Sequence, residues 1–123
     1  SFVTSEHLDL PLTLEDTREA GESLGSGVVM VFDESDDLPD TVRRIAQFFR
    51  DESCGQCVPC RVGTVRQEEV LARFTQNSSL DSDEELLEDL STVMKDSSIC
   101  GLGHTASGAI VSAISLGLLE RTP

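Results

Sequence analysis

The four cysteines of the chain form one short motif and one distant position. Cys54, Cys57 and Cys60 are each separated by two residues, and Cys100 follows after 39 further residues. Thiolates suit soft metals, and three of them on a tight loop can wrap one face of a compact metal centre while a fourth closes it from another element. The pattern therefore favours a [4Fe-4S] cluster held by all four cysteines.

Three other uses of these cysteines compete with a cluster. A zinc ion also accepts four thiolates, but structural zinc sites usually draw them from two separate C-x2-C pairs. A thiol-redox pair needs a strand and a helix around its motif, which the sequence around Cys54 lacks. Disulfides would leave one clustered thiol dependent on a distant partner, in a chain without secretory features. A four-cysteine zinc site is the main alternative.

Neighbouring residues could tune such a centre. Gly55 can adopt a positive φ, which turns backbone N–H groups toward the sulfurs. Arg61 and Arg66 would favour the reduced cluster through their charge, with an ordinary helix surface as the alternative. Gly101, with Gly103, would let the chain approach the cluster closely, or would simply form a turn. These residues are candidates for contacts around the cluster, not for ligands.

The two histidines and the remaining motifs carry less chemistry. His104 is expected beside the cluster or at a helix start, because four cysteines already fill the ligand set, and His7 is expected to be structural. The sequence has no Ser-His-Asp grouping or phosphate-binding loop, and Gly25-Ser26-Gly27 alone does not predict a nucleotide site. No catalytic residue is therefore assigned.

Length and charge limit the classes of protein that remain. The 123 residues suit one compact domain or one small domain with an appendage. A formal charge of −14 would repel a phosphate backbone, which excludes nucleic acid as a partner. No apolar run approaches the ~20 residues of a membrane span, and Ser1 to Glu6 lack the profile of a signal peptide. We expect a cytoplasmic segment without direct membrane insertion.

The character of the sequence changes near Asp36-Asp37-Leu38-Pro39. Before this point, the apolar run from Val28 to Phe32 predicts a buried strand, and residues 14–24 predict a short helix that starts near Thr13 or Thr17. A single strand and helix cannot bury their apolar faces without more sheet. We therefore expect further sheet upstream of this chain.

After this point, apolar periodicity predicts four helices. The first is capped by Asp37 or Asp40, the second runs from about Arg61 to Phe74, the third from Asp81 or Ser82 to about Asp96, and the fourth from near Thr105 to Leu119. The residues expected to face inward are Val42, Ile45, Ala46, Phe49, Val62, Val65, Val70, Leu71, Phe74, Leu86, Leu87, Leu90, Val93, Met94, Ile110, Val111, Ile114 and Leu118. Four helices with short links predict a four-helix bundle in a mostly α chain.

Two stretches of the sequence resemble a known family. Residues 52–64, ESCGQCVPCRVGT, and residues 98–103, SICGLG, closely resemble the C-terminal iron-sulfur domain in the family of flavin-bearing NADH-binding subunits. That family includes the NADH-binding subunit of respiratory complex I, the diaphorase subunits of NAD-reducing hydrogenases and the beta subunits of NAD-dependent formate dehydrogenases. Residues 24–29 also resemble the strand that ends the family's β-grasp domain.

The resemblance implies that the chain contains parts of two domains. Residues 38–123 would form a four-helix bundle that carries the [4Fe-4S] cluster on Cys54, Cys57, Cys60 and Cys100, and residues 1–37 would be the truncated α/β end of a β-grasp domain. In the family, this cluster takes single electrons from FMN, which has accepted a hydride from NADH. It passes them to a neighbouring thioredoxin-like or ferredoxin-like iron-sulfur subunit of the same enzyme complex.

The family's FMN and NAD(H) sites lie in an upstream domain whose glycine-rich motif is absent here. We therefore expect a C-terminal fragment, or a subunit with a separate flavin domain, that binds neither cofactor alone. No Trp follows the third cysteine, unlike most complex I members, which favours the formate dehydrogenase or hydrogenase diaphorase type. The location implied is the cytoplasm, or the inner-membrane periphery through a larger complex.

Overall fold

The computed structural model describes residues 1–120, and this part of the chain is mostly α-helical with no strand. After a 3₁₀ turn at Ser5–His7, the helices are α1 (Leu14–Glu19), α2 (Leu38–Glu52), α3 (Val58–Thr75), α4 (Asp83–Ser97), α5 (Gly101–Thr105) and α6 (Gly108–Ser115). None of the described helices combines the length and the apolar character needed to cross a bilayer. The prediction of a mostly α chain is confirmed.

Four of the helices contribute to one hydrophobic core. Helix α2 packs against α3 and α6, while α4 packs against α3, α5 and α6. The buried core residues are Val42, Ala46, Val70, Leu71, Phe74, Leu87, Ile110, Ala113 and Leu119. This packing places the start of α3 beside the short helix α5, which also contacts α3.

Side-chain caps fix the starts of two helices where the sequence predicts them. The Asp37 carboxylate accepts a hydrogen bond from Asp40 N at 3.0 Å at the start of α2. At the start of α1, Thr13 Oγ1 accepts one from Asp16 N at 3.0 Å. Helix α1 is shorter than predicted and ends at Glu19, because the chain turns at Gly21 with a φ of +79°.

Helix α3 begins earlier than predicted and presents a different face to the core. It starts at Val58, not near Arg61, and Val62, expected inside, is 46% exposed. Its buried residues are Cys60, Gly63, Thr64, Gln67, Val70, Leu71 and Phe74. Two of these residues are polar and one is a glycine. The buried face of α3 therefore cannot be recognised from the spacing of apolar residues alone.

Apolar residues beside the buried faces of α4 and α6 are also more exposed than predicted. Leu87 and Met94 are buried in α4, but Leu86 and Val93, each one position earlier, face away from the core and are exposed. Val111 is likewise exposed beside the buried Ile110. Only about one residue per turn of α4 is buried, namely Asp83, Leu87, Ser91 and Met94, so this narrow contact face covers only part of the apolar stripe.

The predicted last helix is two helices. Helix α5 begins at Gly101, before the expected start near Thr105, and α6 begins after a break at Ala106 and Ser107, both of which are buried. The break lets α5 turn toward the start of α3 while α6 packs against α2 and α4. The predicted inward residue Ile110 is fully buried in α6.

The predicted strand from Val28 to Phe32 is wrong. The segment has no assigned secondary structure, and the side chains of Val28 to Val31 are exposed, with Val31 at 90%. A strand needs a neighbour to satisfy its backbone, and the described residues provide none. No β-grasp sheet is therefore seen in residues 1–120.

Candidate functional site

Three of the four cysteines lie on the connection from α2 to α3. Cys54 is in the loop and exposed, Cys57 is the N-cap of α3, and Cys60 is buried in the first turn of that helix. Pro59 suits this first turn, where its missing N–H costs no helical hydrogen bond. Gly55 turns the loop with a φ of +72°, a conformation that favours glycine.

Cys100 lies on a separate segment that meets this loop. It is the exposed N-cap of α5, which packs against α3 and α4. The pKa of the Cys57 thiol lies below its ordinary value, because the backbone N–H groups of Ile99 and Cys60 donate hydrogen bonds to its sulfur. The residue before Cys100 thus contacts the second cysteine of the motif, which brings the two segments together.

A serine hydroxyl supports the buried cysteine. Ser53 Oγ lies 3.3 Å from Cys60 Sγ, and it also accepts a hydrogen bond from Gly55 N at 3.4 Å. The cysteine spacing alone gives Ser53 no role. Its position directly before the first cysteine is the signal in the sequence that could have indicated one.

The turn before α5 is closely packed and held by a histidine. His104 Nε2 donates a hydrogen bond to the carbonyl oxygen of Ser98 at 2.8 Å, since a carbonyl can only accept. A Cβ on Gly103 would overlap the Ser98 side chain and would lie 3.2 Å from Cys60 Cβ. His104 therefore fixes the backbone of the Cys100 segment, and Gly103 allows that segment to approach Cys60.

The two arginines expected near the site have different surroundings. The Arg61 side chain lies over Gly55, where a Cβ would be 3.4 Å from Arg61 Cδ. Arg66 forms an ion pair with Glu69 at 2.7 Å on the exposed side of α3. Within residues 1–120, Gly101 has open space where a Cβ would be, so no described side chain requires glycine there.

A second glycine, which the sequence analysis gave no role, sets the distance between α3 and α4. A Cβ on Gly63 would lie 2.5 Å from Met94 Sδ and 2.7 Å from Met94 Cγ. Met94 is fully buried and lies four residues before Ser98. The close contact brings the end of α4, and with it the Cys100 segment, toward the start of α3.

The donor set consists of four free thiols, and thiolates are ligands for both iron–sulfur clusters and zinc. Among the described residues, no group of three or more His, Cys, Asp or Glu side chains is already placed to hold one ion. Four thiols match the ligand number of a [4Fe-4S] cube, which takes one thiolate at each iron.

Comparison with known proteins adds an independent finding. The family model described as the NADH-ubiquinone oxidoreductase-F iron-sulfur binding region matches residues 40–116, which include all four cysteines. The match covers most of the helical part of the chain and begins two residues after the start of α2.

Three curated relatives illustrate the similarity. The NADH-quinone oxidoreductase subunit designated F of Mycobacterium tuberculosis (strain ATCC 25618 / H37Rv) is 37% identical over 113 residues, which are 92% of this chain and 25% of the relative. NADP-reducing hydrogenase subunit HndC of Solidesulfovibrio fructosivorans is 34% identical over 112 residues, 91% of this chain and 23% of the relative. The mitochondrial NADH-ubiquinone oxidoreductase 51 kDa subunit of Neurospora crassa is 31% identical over 97 residues, 79% and 20% of the two chains. The chain thus spans about a quarter of the length of the first relatives.

Proposed function

The chain belongs to the family of the NADH-ubiquinone oxidoreductase-F iron-sulfur binding region, and on that premise we propose that it holds one [4Fe-4S] cluster and relays electrons through it. Cys54, Cys57, Cys60 and Cys100 are the proposed ligands. When bound, the cluster supplies a one-electron carrier. The chain around it supplies thiolates, hydrogen-bond donors and the approach of two separate segments.

The observation that carries this proposal is the close approach of the Cys100 segment to the cysteine motif, where a Cβ on Gly103 would lie 3.2 Å from Cys60 Cβ. The N–H groups of Ile99 and Cys60 favour the thiolate form of Cys57, which is the form that binds metal. Because Ile99 belongs to the Cys100 segment, the meeting of the two segments adds to this stabilisation. Cys54 and Cys100 are exposed, which leaves the site open toward a partner domain.

The names of the relatives support a proposal for the place of the relay in a larger enzyme. They are named as subunits of NADH-quinone oxidoreductase and of an NADP-reducing hydrogenase, and the chain spans a quarter of their length. We propose that FMN and NAD(H) bind an upstream domain that is absent from this chain. Electrons would pass from that flavin to a thioredoxin-like or ferredoxin-like iron-sulfur subunit of the same oxidoreductase complex.

The subtype is a finer proposal. The missing Trp favours the hydrogenase diaphorase or formate dehydrogenase type, and the hydrogenase relative supports the former. The complex I type is the alternative, supported by the relatives named as NADH-quinone oxidoreductase subunits. The sequence encoded upstream, together with the neighbouring genes, tests the assignment, since membrane-arm subunits of complex I beside this gene would reverse it.

We also propose the domain division given by the resemblance. Residues 38–123 would be the cluster-binding domain, a four-helix bundle built on α2, α3, α4 and α6, and residues 1–37 would end a preceding domain. The start of the family match at residue 40 supports this boundary. The proposed location is the cytoplasm, at the membrane only through a larger complex.

Anaerobic reconstitution of the chain with iron and sulfide tests the function. We expect about four iron and four sulfide per chain. Cys100→Ala should lose the cluster or hold a depleted form, while Ser97→Ala, an exposed serine nearby, should load normally. A colourless chain that binds one zinc ion and no sulfide would overturn the proposal in favour of a zinc-stabilised interaction domain.

A further inference from the structure

Ser98 carries a buried hydroxyl that no group in the described residues satisfies. The residue is 8% exposed, and its Oγ atom is buried without a hydrogen-bond partner. A buried hydroxyl without a partner is costly, because it gives up its hydrogen bonds to water. Gln67 Nε2 and Ser107 Oγ share this property, and what distinguishes Ser98 is its position beside the cysteine site.

The position of this hydroxyl is fixed on several sides. Ser98 is the C-cap of α4, and its N–H donates to the Met94 carbonyl at 3.1 Å. Its own carbonyl accepts from His104 Nε2 at 2.8 Å. The Ser98 side chain fills the space beside Gly103, so a residue with a Cβ does not fit at position 103. The backbone and the packing together therefore hold Ser98 in place.

The hydroxyl lies beside the cysteines of the site. Ser98 is two residues before Cys100, and both the Ser98 side chain and Cys60 Cβ lie close to the position that a Cβ on Gly103 would take. A neutral thiol is a weak acceptor, so the Ser98 hydroxyl gains little from one. A thiolate bound to iron carries more negative charge and accepts a stronger hydrogen bond.

We propose that Ser98 is a positioning residue whose hydroxyl donates a hydrogen bond to a cysteine sulfur of the bound cluster and thereby raises the reduction potential. This inference rests on the proposed function. Reduction adds negative charge to the cluster, so a donor to one of its sulfurs stabilises the reduced state more than the oxidised state. The buried hydroxyl thus acquires a partner when the cluster is bound.

The test compares four reconstituted chains: the unaltered chain, Ser98→Ala, Ser98→Thr and Ser97→Ala. Ser98→Ala removes only the hydroxyl, Ser98→Thr keeps it, and Ser97→Ala removes an exposed hydroxyl one residue away. Redox titration followed by electron paramagnetic resonance gives each midpoint potential. We expect a lower potential for Ser98→Ala alone, with about four iron retained in all four chains.

The apo chains give a second measurement. Because the hydroxyl lacks a hydrogen-bond partner without the cluster, Ser98→Ala should leave the melting temperature of the apo chain unchanged or raise it. If Ser98 had only a structural role, Ser98→Ala would lower the melting temperature and leave the reduction potential unchanged.

Two outcomes would overturn the role of Ser98. One is equal potentials for Ser98→Ala and the unaltered chain, and the other is loss of the cluster from a folded Ser98→Ala chain, since a hydrogen-bond donor is not a ligand. Failure of the unaltered chain to take up iron and sulfide would instead refute the proposed function, so the two failures are distinguishable.

Discussion

Gly103 lies directly against Ser98, so closely that a Cβ on Gly103 would overlap the side chain of the serine. The same position is 3.2 Å from Cys60 Cβ. The contact therefore joins three parts of the chain: the end of α4, the helix that follows Cys100, and the first turn of α3.

The first prediction follows from this contact. Gly103→Ala should destabilise the apo chain by about 1–3 kcal/mol, because the added methyl forces Ser98 and Cys60 apart. It should also lower the iron bound after reconstitution. Gly101→Ala is the matched control for the fold, since its Cβ would meet no atom of the described part of the chain within 4 Å. Chemical denaturation and iron analysis of both variants measure the two effects.

Gly101→Ala is informative in the loaded chain as well. If the backbone at Gly101 approaches the cluster, as the sequence suggests, this variant keeps its apo stability and loses iron. If Gly101→Ala binds as much iron as the unaltered chain, Gly101 is an ordinary turn residue and does not lie against the cluster.

A second prediction concerns the contact between α3 and α4. Alanine is favoured over glycine inside a helix by about 1 kcal/mol, but Gly63→Ala places a methyl 2.5 Å from Met94 Sδ. We expect overpacking to outweigh this gain and to lower the free energy of unfolding by about 1–2 kcal/mol. A double-mutant cycle with Met94→Ala, measured by urea unfolding, should show that the two changes together cost less than their sum. Strict additivity would mean that this contact does not set the helix spacing.

A third prediction is a pH dependence of stability. Asp83 is buried, accepts hydrogen bonds from Arg73 Nε and Leu80 N, both at 2.9 Å, and forms an ion pair with Arg73. The hydrogen bond from Arg73 lowers the pKa of the Asp83 carboxyl. An acid whose pKa falls on folding stabilises the fold above its unfolded pKa of about 3.9. That stabilisation is lost as the pH falls through the lower folded pKa.

Asp83→Asn should therefore lower the free energy of unfolding by about 1–2 kcal/mol at pH 7. The expected loss is this small because Arg73 is one-third exposed, and solvent weakens its ion pair with Asp83. The variant should also lose less stability than the unaltered chain as the pH falls from about 5 through the lowered pKa of Asp83. Glu85→Gln, an exposed residue in the same helix, removes the same charge and serves as the control. Parallel pH profiles for Asp83→Asn and the unaltered chain would contradict the assignment.

The fourth prediction concerns the charge beside the cysteine loop. Arg61→Gln should lower the reduction potential of the reconstituted chain, because the Arg61 side chain lies over Gly55 in that loop and its charge favours the reduced state. Arg66→Gln removes a charge that is already paired with Glu69 and should change the potential less. The comparison is made by redox titration at two ionic strengths. Equal potentials for Arg61→Gln and the unaltered chain would mean that Arg61 is an ordinary surface residue with no effect on the cluster.

Local features of the chain could be predicted from the sequence. The caps at Thr13 and Asp37 depend on contacts within one turn, and both are confirmed. The mostly α character and the family also follow from the sequence, because apolar periodicity and cysteine spacing are local patterns. The assignment of the four ligands stays a prediction.

The buried face of α3 could not be predicted in the same way. Gly63, Thr64 and Gln67 face inward, whereas the apolar Val62 is partly exposed. The Thr64 hydroxyl bonds to the Cys60 carbonyl at 2.7 Å, which satisfies it inside the helix. Burial of such residues depends on the neighbouring helices, and periodicity of apolar residues contains no information about them.

The sequence by itself determined the donor chemistry, since four thiols in a three-plus-one spacing are a property of the chain alone. Only the tertiary structure decided that Ile99 reaches Cys57, that Ser98 is buried beside Gly103, and that the run from Val28 to Val31 is exposed instead of forming a strand. The physical reason is that these features depend on contacts between segments, which apolar periodicity and spacing along the chain do not specify. Packing of α3, α4 and α5 creates the first two, and the strand fails because residues 1–120 supply no partner for its backbone.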